Sequence, residues 1–320
     1  MRRREFLTVA AAGLIAAPHI SRAQAKWPER PVKLIVPFAP GGSTDLVARP
    51  WAEKLTQAFG QQFVVENRGG ASGMIGAEAV AKSPADGYTY LLGTATAIVT
   101  LPLLRKVGYD PKAFVPIGRV GDAVTGFVVH PSTGLKTFAD MVEYAKKNPG
   151  KLAFGSSGTA TAPHLRLEMM KLKTGIDILH VPYRGGADVL NDLLPGVVHM
   201  QNEPITLPHV KAGKLILLNI NGPVRNPDFP DVPTLTDLGL KDADVPIWFA
   251  FFGPAGLPQE IVSKMNTKML EIARTDDMKK KMWAVNAIVP LQTPEEIARH
   301  LLEDIRLNAE MAKTANIKIE

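Results

Sequence analysis

"VPFAPGGSTDLVARPWAEKL" spans residues 36–55, and its order of residue types decides the fold. A run of β-formers stops at Pro37. Gly41 and Gly42 follow, then Ser43, Thr44 and Asp45, and then an amphipathic pattern. This reads as strand, glycine-hydroxyl turn, helix. A helix N-terminus presents unpaired backbone N–H groups and the positive end of a dipole. Glycine lets a ligand approach that backbone closely, and hydroxyls add donors without charge. The junction is therefore a ready site for a carboxylate or phosphate. Ser43 and Thr44 can equally cap their own helix, so one junction alone decides little. The chain has a second, "GSSGTAT" at Gly155–Thr161.

Outward from the first junction, "PVKLIVPF" (31–38) reads as a buried strand. The helix runs to Gly60, with Pro50 expected to kink it. "QFVVEN" (62–67) and "YTYLLGTAT" (88–96) are strands, with a glycine-led helix between them. Strands alternating with helices predict a parallel sheet with covering helices. Residues 151–204 repeat the plan: strand, glycine-hydroxyl turn, helix, strand, turn, helix, strand. Arg68-Gly69-Gly70-Ala71 and Arg184-Gly185-Gly186-Ala187 open the second helix of each unit. The shared order predicts two related lobes.

Alternating short strands at 109–132 carry the chain to the second lobe, and "DVPIWFAFFGPAGLP" (244–258) returns it. Three helical segments finish the sequence. Thr293 and Glu296 have capping-box spacing for the last, whose positions 297, 301, 305 and 308 share one face. The expected division is a signal segment at 1–25, lobe 1 at 26–125 plus 248–320, and lobe 2 at 126–247. Two crossings between lobes make a hinge and a cleft.

Bulk properties narrow the function. The 320 residues are 46% hydrophobic and 21% charged, ordinary for a globular chain. No cysteine is present, which excludes thiolate chemistry, disulfides and cysteine-ligated metals. "MRRREFLTVAAAGLIAAPHISRAQA" reads as an export signal, with Arg3-Arg4 and Phe6-Leu7 resembling a twin-arginine motif. The whole chain carries +6; without residues 1–25 it has 33 basic and 30 acidic residues, or +3. No dense basic block or basic stripe is present, so nucleic acid is excluded as a partner.

Enzyme signatures are missing. "GGSTD" lacks the Lys-Ser/Thr of a phosphate loop, "FGSSG" is not a nucleophile elbow, and "GGASGMIG" has the wrong spacing for a dinucleotide. The seven His show no metal-ligand spacing. No cofactor is expected. Asp45 beside an anion site would repel the ligand, so it bonds the backbone or receives a ligand ammonium or hydroxyl. His164 lies beside the second turn, where a neutral imidazole can orient the loop. Tyr183 and Arg184 follow a strand end, where α/β folds bind ligands, and Arg184 can pair with a carboxylate. Trp248, Phe249, Phe251 and Phe252 read as core or hinge packing.

"WPERPVKLIVPFAPGGSTD", "VVENRGGASGMIGAEAVAKSPADGYTYLLGT", "FGSSGTATAPHL", "VPYRGGADVLNDLLPG", "LPHVKAGKL" and "FGPAGLP" resemble, in order, the Bug family of extracytoplasmic solute receptors of tripartite tricarboxylate transporters. The resemblance covers residues 26–320. It implies an α/β periplasmic binding protein of type II, the Venus flytrap, with a mixed, mostly parallel sheet in each lobe. It further implies a monomer in the periplasm that binds a small carboxylate and delivers it to a two-component membrane permease. By motif match the first clasping loop holds Phe38, Gly42, Ser43, Thr44 and Asp45. The second holds Ser156, Ser157, Gly158, Thr159 and Thr161. Tyr183 and Gly186 match the family's "PYKG" turn, and Thr94 and Thr96 fall on the cleft-lining segment.

Two departures concern the far end of the ligand. "ATAIVTLP" stands where many members have a His and an Asn, and "MQNEPI" where many have "MFDNLP". Asn202 takes the place of the family's Asp, which suggests a ligand with a neutral or apolar distal end. Two other readings stay open at this level: an exported hydrolase using Ser156 or Ser157 with His164, and a sensory subunit reporting to a membrane kinase.

Overall fold

The computed structural model describes residues 27–222 and 225–314, so the export-signal reading lies outside the described residues. The chain folds around two sheets. The first has six strands in the order β11-β4-β10-β3-β1-β2: β1 (Val32–Val36), β2 (Phe63–Asn67), β3 (Thr89–Thr94), β4 (Phe114–Ala123), β10 (Trp248–Pro254) and β11 (Ala287–Ile288). The second has five in the order β7-β6-β8-β5-β9: β5 (Val128–Val129), β6 (Ala153–Ser156), β7 (Leu179–Pro182), β8 (Met200–Gln201) and β9 (Ile216–Leu217).

In each sheet the βα units supply parallel pairs and returning chain supplies antiparallel ones. β1 is parallel to β2 and β3, and β6 is parallel to β7 and β8. β10 re-enters the first sheet between β3 and β4, antiparallel to both.

The first junction folds as its residue order predicts. β1 ends at Val36, and α1 (Ser43–Phe59) runs until Gly60 takes a left-handed φ of 67°. The helix continues through Pro50 as one element. Its buried face, Val47, Ala48, Trp51, Ala52 and Leu55, packs with Leu34, Tyr90 and Phe251 of the sheet. Trp51 Nε1 donates to the Val120 carbonyl at 2.8 Å, which satisfies the buried indole. α2 (Met74–Ala81) and a π-helical turn at Thr96–Thr100, which runs into the short α3 (Leu101–Leu104), cover the other face.

The second sheet carries α4 (Phe138–Lys147), α5 (Ala162–Thr174), α6 (Gly186–Leu193) and α7 (Leu207–Lys211). Phe127, Phe154, Met170 and Met200 centre one of its cores; Val189, Leu193 and Leu207 centre the other.

Two passages join the sheets, at 123–128 and 217–248, and they hydrogen-bond to each other. The Asn221 N–H donates to the Thr125 carbonyl at 2.8 Å. Gly126 sits where they cross: a Cβ there would lie 1.8 Å from the Asn219 carbonyl oxygen.

The chain ends in α8 (Gln259–Arg274), α9 (Asp276–Ala284) and α10 (Pro294–Thr314). The α10 capping box forms as its spacing requires: Glu296 accepts from the Thr293 N–H at 2.8 Å, and Thr293 accepts from the Glu296 N–H at 3.3 Å. The inward face of α10 differs from the expected stripe. Ile297, Asp304 and Asn308 are buried, whereas Ile305 is exposed. The helix is held by polar contacts that a count of apolar residues does not register: Trp248 Nε1 donates to Asp304, and the Thr100 hydroxyl donates to Asn308 Oδ1 at 3.4 Å.

Candidate functional site

The two sheets turn the C-terminal ends of their parallel strands toward each other, which is where open α/β sheets hold ligands. A cleft lies between them, with about 510 Å³ of atom-free space that includes the open solvent at its mouth. The first lobe gives Phe38, Gly42, Ser43, Thr44, Thr94 and Thr96; the second gives Ser157, Thr161 and Gly186. These are nine of the positions expected from the sequence. They lie at the C-terminal ends of β1, β3, β6 and β7, or in the turns and first helical residues that follow them. The N-termini of α1, α5 and α6 open onto the same space.

Neither hydroxyl of the first turn is spent on capping. The cap residue of α1 is Gly42, with no side-chain cap bond. The Ser43 hydroxyl instead crosses the cleft and donates to Glu203 Oε2 at 3.0 Å.

The other expected residues lie elsewhere. Asp45 is buried and turned onto its own backbone: it accepts from the Gly41 N–H at 2.9 Å and pairs with Arg49 at 2.9 Å. Ser156 is fully buried; its hydroxyl meets His180 Nε2 at 2.6 Å and accepts from the Gly158 N–H at 3.2 Å. Gly158 and Thr159 line a separate groove at the edge of the cleft, with Ser72, Arg105, Tyr183 and Arg184. The Tyr183 hydroxyl donates to Asp192 at 2.7 Å. Asn202 is fully buried behind the cavity, where its Oδ1 accepts from Arg166 at 2.8 Å and from Thr125 at 3.1 Å.

His164 does not face the serines. Its Nδ1 accepts from the Ala160 N–H at 3.0 Å, and its ring stacks on His180 at 3.9 Å. Burial holds both imidazoles neutral, His164 near pKa 4 and His180 near pKa 3.

Glu203 is the functional candidate that sequence reasoning missed. It follows β8, a strand parallel to β6, so the strand-end rule applied to Tyr183 and Arg184 would have marked it. Among the described residues that line the cavity, it is the one ionisable side chain. It is only 5% exposed. Burial pushes its carboxyl above the ordinary range, opposed by the Ser157 and Ser43 hydroxyls and by the Arg166 guanidinium. A Cβ on Gly186 would lie 2.0 Å from its Oε2, so only glycine leaves room for this carboxylate at the start of α6.

The remaining walls are apolar: Phe38, Ala162, Pro163, Ile247, Trp248 and Phe249. Trp248 and Phe249 thus serve the cavity as well as the core. Among the described residues there is no cluster of His, Asp or Glu able to hold a metal.

Two α/β lobes closing on a hydroxyl-rich cavity, joined by a pair of hydrogen-bonded passages, define a periplasmic binding protein. Comparison with known proteins narrows the class. The family model of the tripartite tricarboxylate transporter family receptor matches residues 47–305, and the chain belongs to that family. It is 35% identical over 299 residues to Protein BugT of Bordetella pertussis, covering 92% of each chain.

Among solved structures, Rhodopseudomonas palustris Rpa4515 with adipate superposes with a TM-score of 0.88 at 36% identity, covering 91% of this chain and 99% of that one. The periplasmic binding protein BugD superposes at 0.87 with 33% identity, covering 92% and 100%. MatC from the same Rhodopseudomonas species, with bound malate, superposes at 0.83 with 26% identity, covering 89% and 99%. The chain is a solute-binding receptor and not an enzyme. No helix among the described residues is long and apolar enough to cross a membrane.

Proposed function

We propose that this chain captures a small organic acid in the cavity between its lobes and delivers it, in the periplasm, to a two-component membrane permease. The described residues of 26–125 with 248–320 form one jaw and those of 126–247 the other, and the protein acts as a monomer. The observation that carries the reading is the convergence of three helix N-termini and the hydroxyls of Thr44, Thr94, Thr96 and Thr161 on one part-open cleft. Helix N-termini and hydroxyls favour an acid without a counter-cation. The Phe38, Ile247, Trp248 and Phe249 walls suit an apolar body behind the acid group. The adipate and malate held by the two Rhodopseudomonas neighbours are acids of this size class.

Capture shifts the population of a two-state hinge, because the solute contacts both jaws only in the closed form. A thermal-shift panel tests the reading. A solute at a hundred times its Kd stabilises by about 2.7 kcal/mol. Adipate, malate, succinate, citrate and benzoate-type acids form the panel, and a benzoate-type or long-chain acid is expected to raise Tm most. A panel in which no acid raises Tm would overturn the reading.

A further inference from the structure

The polar groups of the cavity do not balance one another. Glu203 Oε2 is served by Ser43 at 3.0 Å, but Glu203 Oε1 is buried with no hydrogen-bond partner. Thr94 Oγ1, on the opposite jaw, is also buried without a partner. Buried polar atoms in native proteins are paired with few exceptions, so two orphans lining one cavity call for an occupant.

The resident carboxylate also holds the place expected for a ligand carboxylate. It sits against the N-terminus of α6, within reach of the serine of each clasping loop. Among the described residues, no Lys, Arg or His lines the cavity to offset a second negative charge. The buried Arg166 does not line the cavity, and its charge already offsets those of Glu203 and Asp244, leaving none for a second carboxylate. A bare carboxylate pressed against Glu203 would meet an acceptor and a like charge. A donor there would meet an acceptor that lacks one.

We propose that Glu203 is the specificity-determining residue of the cleft: its free Oε1 receives a hydrogen bond from an ammonium or hydroxyl group on the solute. The captured acid is then amino- or hydroxy-substituted. Its donor faces Glu203, and its carboxylate lies on the other side of the cavity, where the Thr94 hydroxyl can donate to it. This deepens the reading above and rests on it, because it presumes an acid between the jaws.

The test uses matched trios of acids: butanoate, 2-hydroxybutanoate and 2-aminobutanoate, and phenylacetate, mandelate and phenylglycine. Each is titrated by calorimetry into the mature wild-type protein, into Glu203→Gln and into Glu203→Leu. A hydrogen bond to a charged group corresponds to roughly tenfold or more in affinity, so wild type is expected to favour a substituted acid over its bare parent by at least about tenfold. The variants are expected to bring that ratio below about threefold and to bind the bare parent more tightly than wild type does. The order of hydroxy and amino acids tells which donor is used.

A wild-type protein that binds the bare parent as tightly as its substituted forms overturns the proposal and leaves the receptor reading standing. A preference that survives in Glu203→Leu, or that is undiminished in Glu203→Gln, whose amide oxygen is an uncharged and weaker acceptor, overturns it equally. If no acid of either trio or of the thermal-shift panel binds wild type or variant, the acid reading and this proposal fall together.

Discussion

The Ser43 hydroxyl donates to Glu203 Oε2 at 3.0 Å, and the two residues belong to opposite jaws, 160 positions apart in the chain. One side-chain bond therefore links the lobes across the floor of the cavity. Ser43→Ala removes the one donor that reaches this buried carboxylate from the opposite jaw and leaves it the Ser157 hydroxyl of its own jaw. A buried bond of this kind contributes about 1.5 kcal/mol, enough to change the closed-to-open ratio about tenfold. Small-angle X-ray scattering of the solute-free variant is expected to give a larger radius of gyration than wild type, with added solute restoring the compact form. Identical scattering curves would show that the bond has no part in closure.

Gly186→Ala tests the geometry from the other side. The new Cβ would overlap Glu203 Oε2 at 2.0 Å, so the carboxylate must leave the start of α6 or α6 must shift. Either movement disturbs the cavity, whereas the φ/ψ of a helical first turn suits alanine. Solute affinity is expected to fall by roughly tenfold or more while Tm changes by only a few degrees. Unchanged affinity would contradict the placement of Glu203.

The stacked pair His164 and His180 gives stability a pH dependence. Burial depresses both, to about 4 and about 3, from an ordinary value of 6.5. The unfolded chain therefore binds more protons once the pH drops below about 6.5, and stability is lost progressively from there toward the folded-state values. Glu203 and Asp304 are shifted upward by burial and act in the opposite sense. The difference between wild type and the His164→Gln, His180→Gln double variant isolates the imidazoles. Between pH 7 and pH 4.5, wild type is expected to lose on the order of 2 kcal/mol more than the variant in urea unfolding. Parallel profiles would refute the neutral-pair assignment.

Arg166 makes a sharper stability prediction. It is 1% exposed, with Asn202 Oδ1 at 2.8 Å and Asp244 at 3.9 Å. Removing one member of a buried charged network costs about 3 kcal/mol, so Arg166→Met is expected to lower the urea midpoint with an unchanged slope. A loss below about 1 kcal/mol would mean that solvent already screens the group.

The sequence carried the fold because its two glycine-hydroxyl junctions each sit between a β-branched run and an amphipathic run, and the Arg-Gly-Gly turns repeat the plan. The strand-to-helix logic also located Ser43, Thr44, Ser157 and Thr161 on one cavity, and the family resemblance added Gly186. Asp45 bonds its own backbone, one of the two readings its sequence position leaves open; Ser156, Tyr183 and Asn202 are matched to the site by family motif, and a motif records which loop a residue is on and not which way it faces. Their partners are Arg49 one turn further along α1, Asp192 in the helix that follows Tyr183, and His180 and Arg166 on elements distant in the chain. Glu203 escaped notice for a related reason. Beside Asn202 in "MQNEPI" it looks like a loop residue, and only the fold sets it opposite Ser43. Asp304 and Asn308 hold α10 by the same kind of contact, which periodicity of apolar residues does not detect.

The claim on which everything else depends is that a small acid resides between the jaws. Native mass spectrometry of the protein purified from its own host tests this most directly, because a solute that bridges both jaws leaves only when they open. The account predicts a one-to-one adduct that is lost on denaturation, identified in the released fraction as an organic acid bearing an amino or hydroxyl group. It also predicts that the adduct is lost in Gly186→Ala. A chain that carries no adduct from its host, and gains none when incubated with the acid panel, would contradict it.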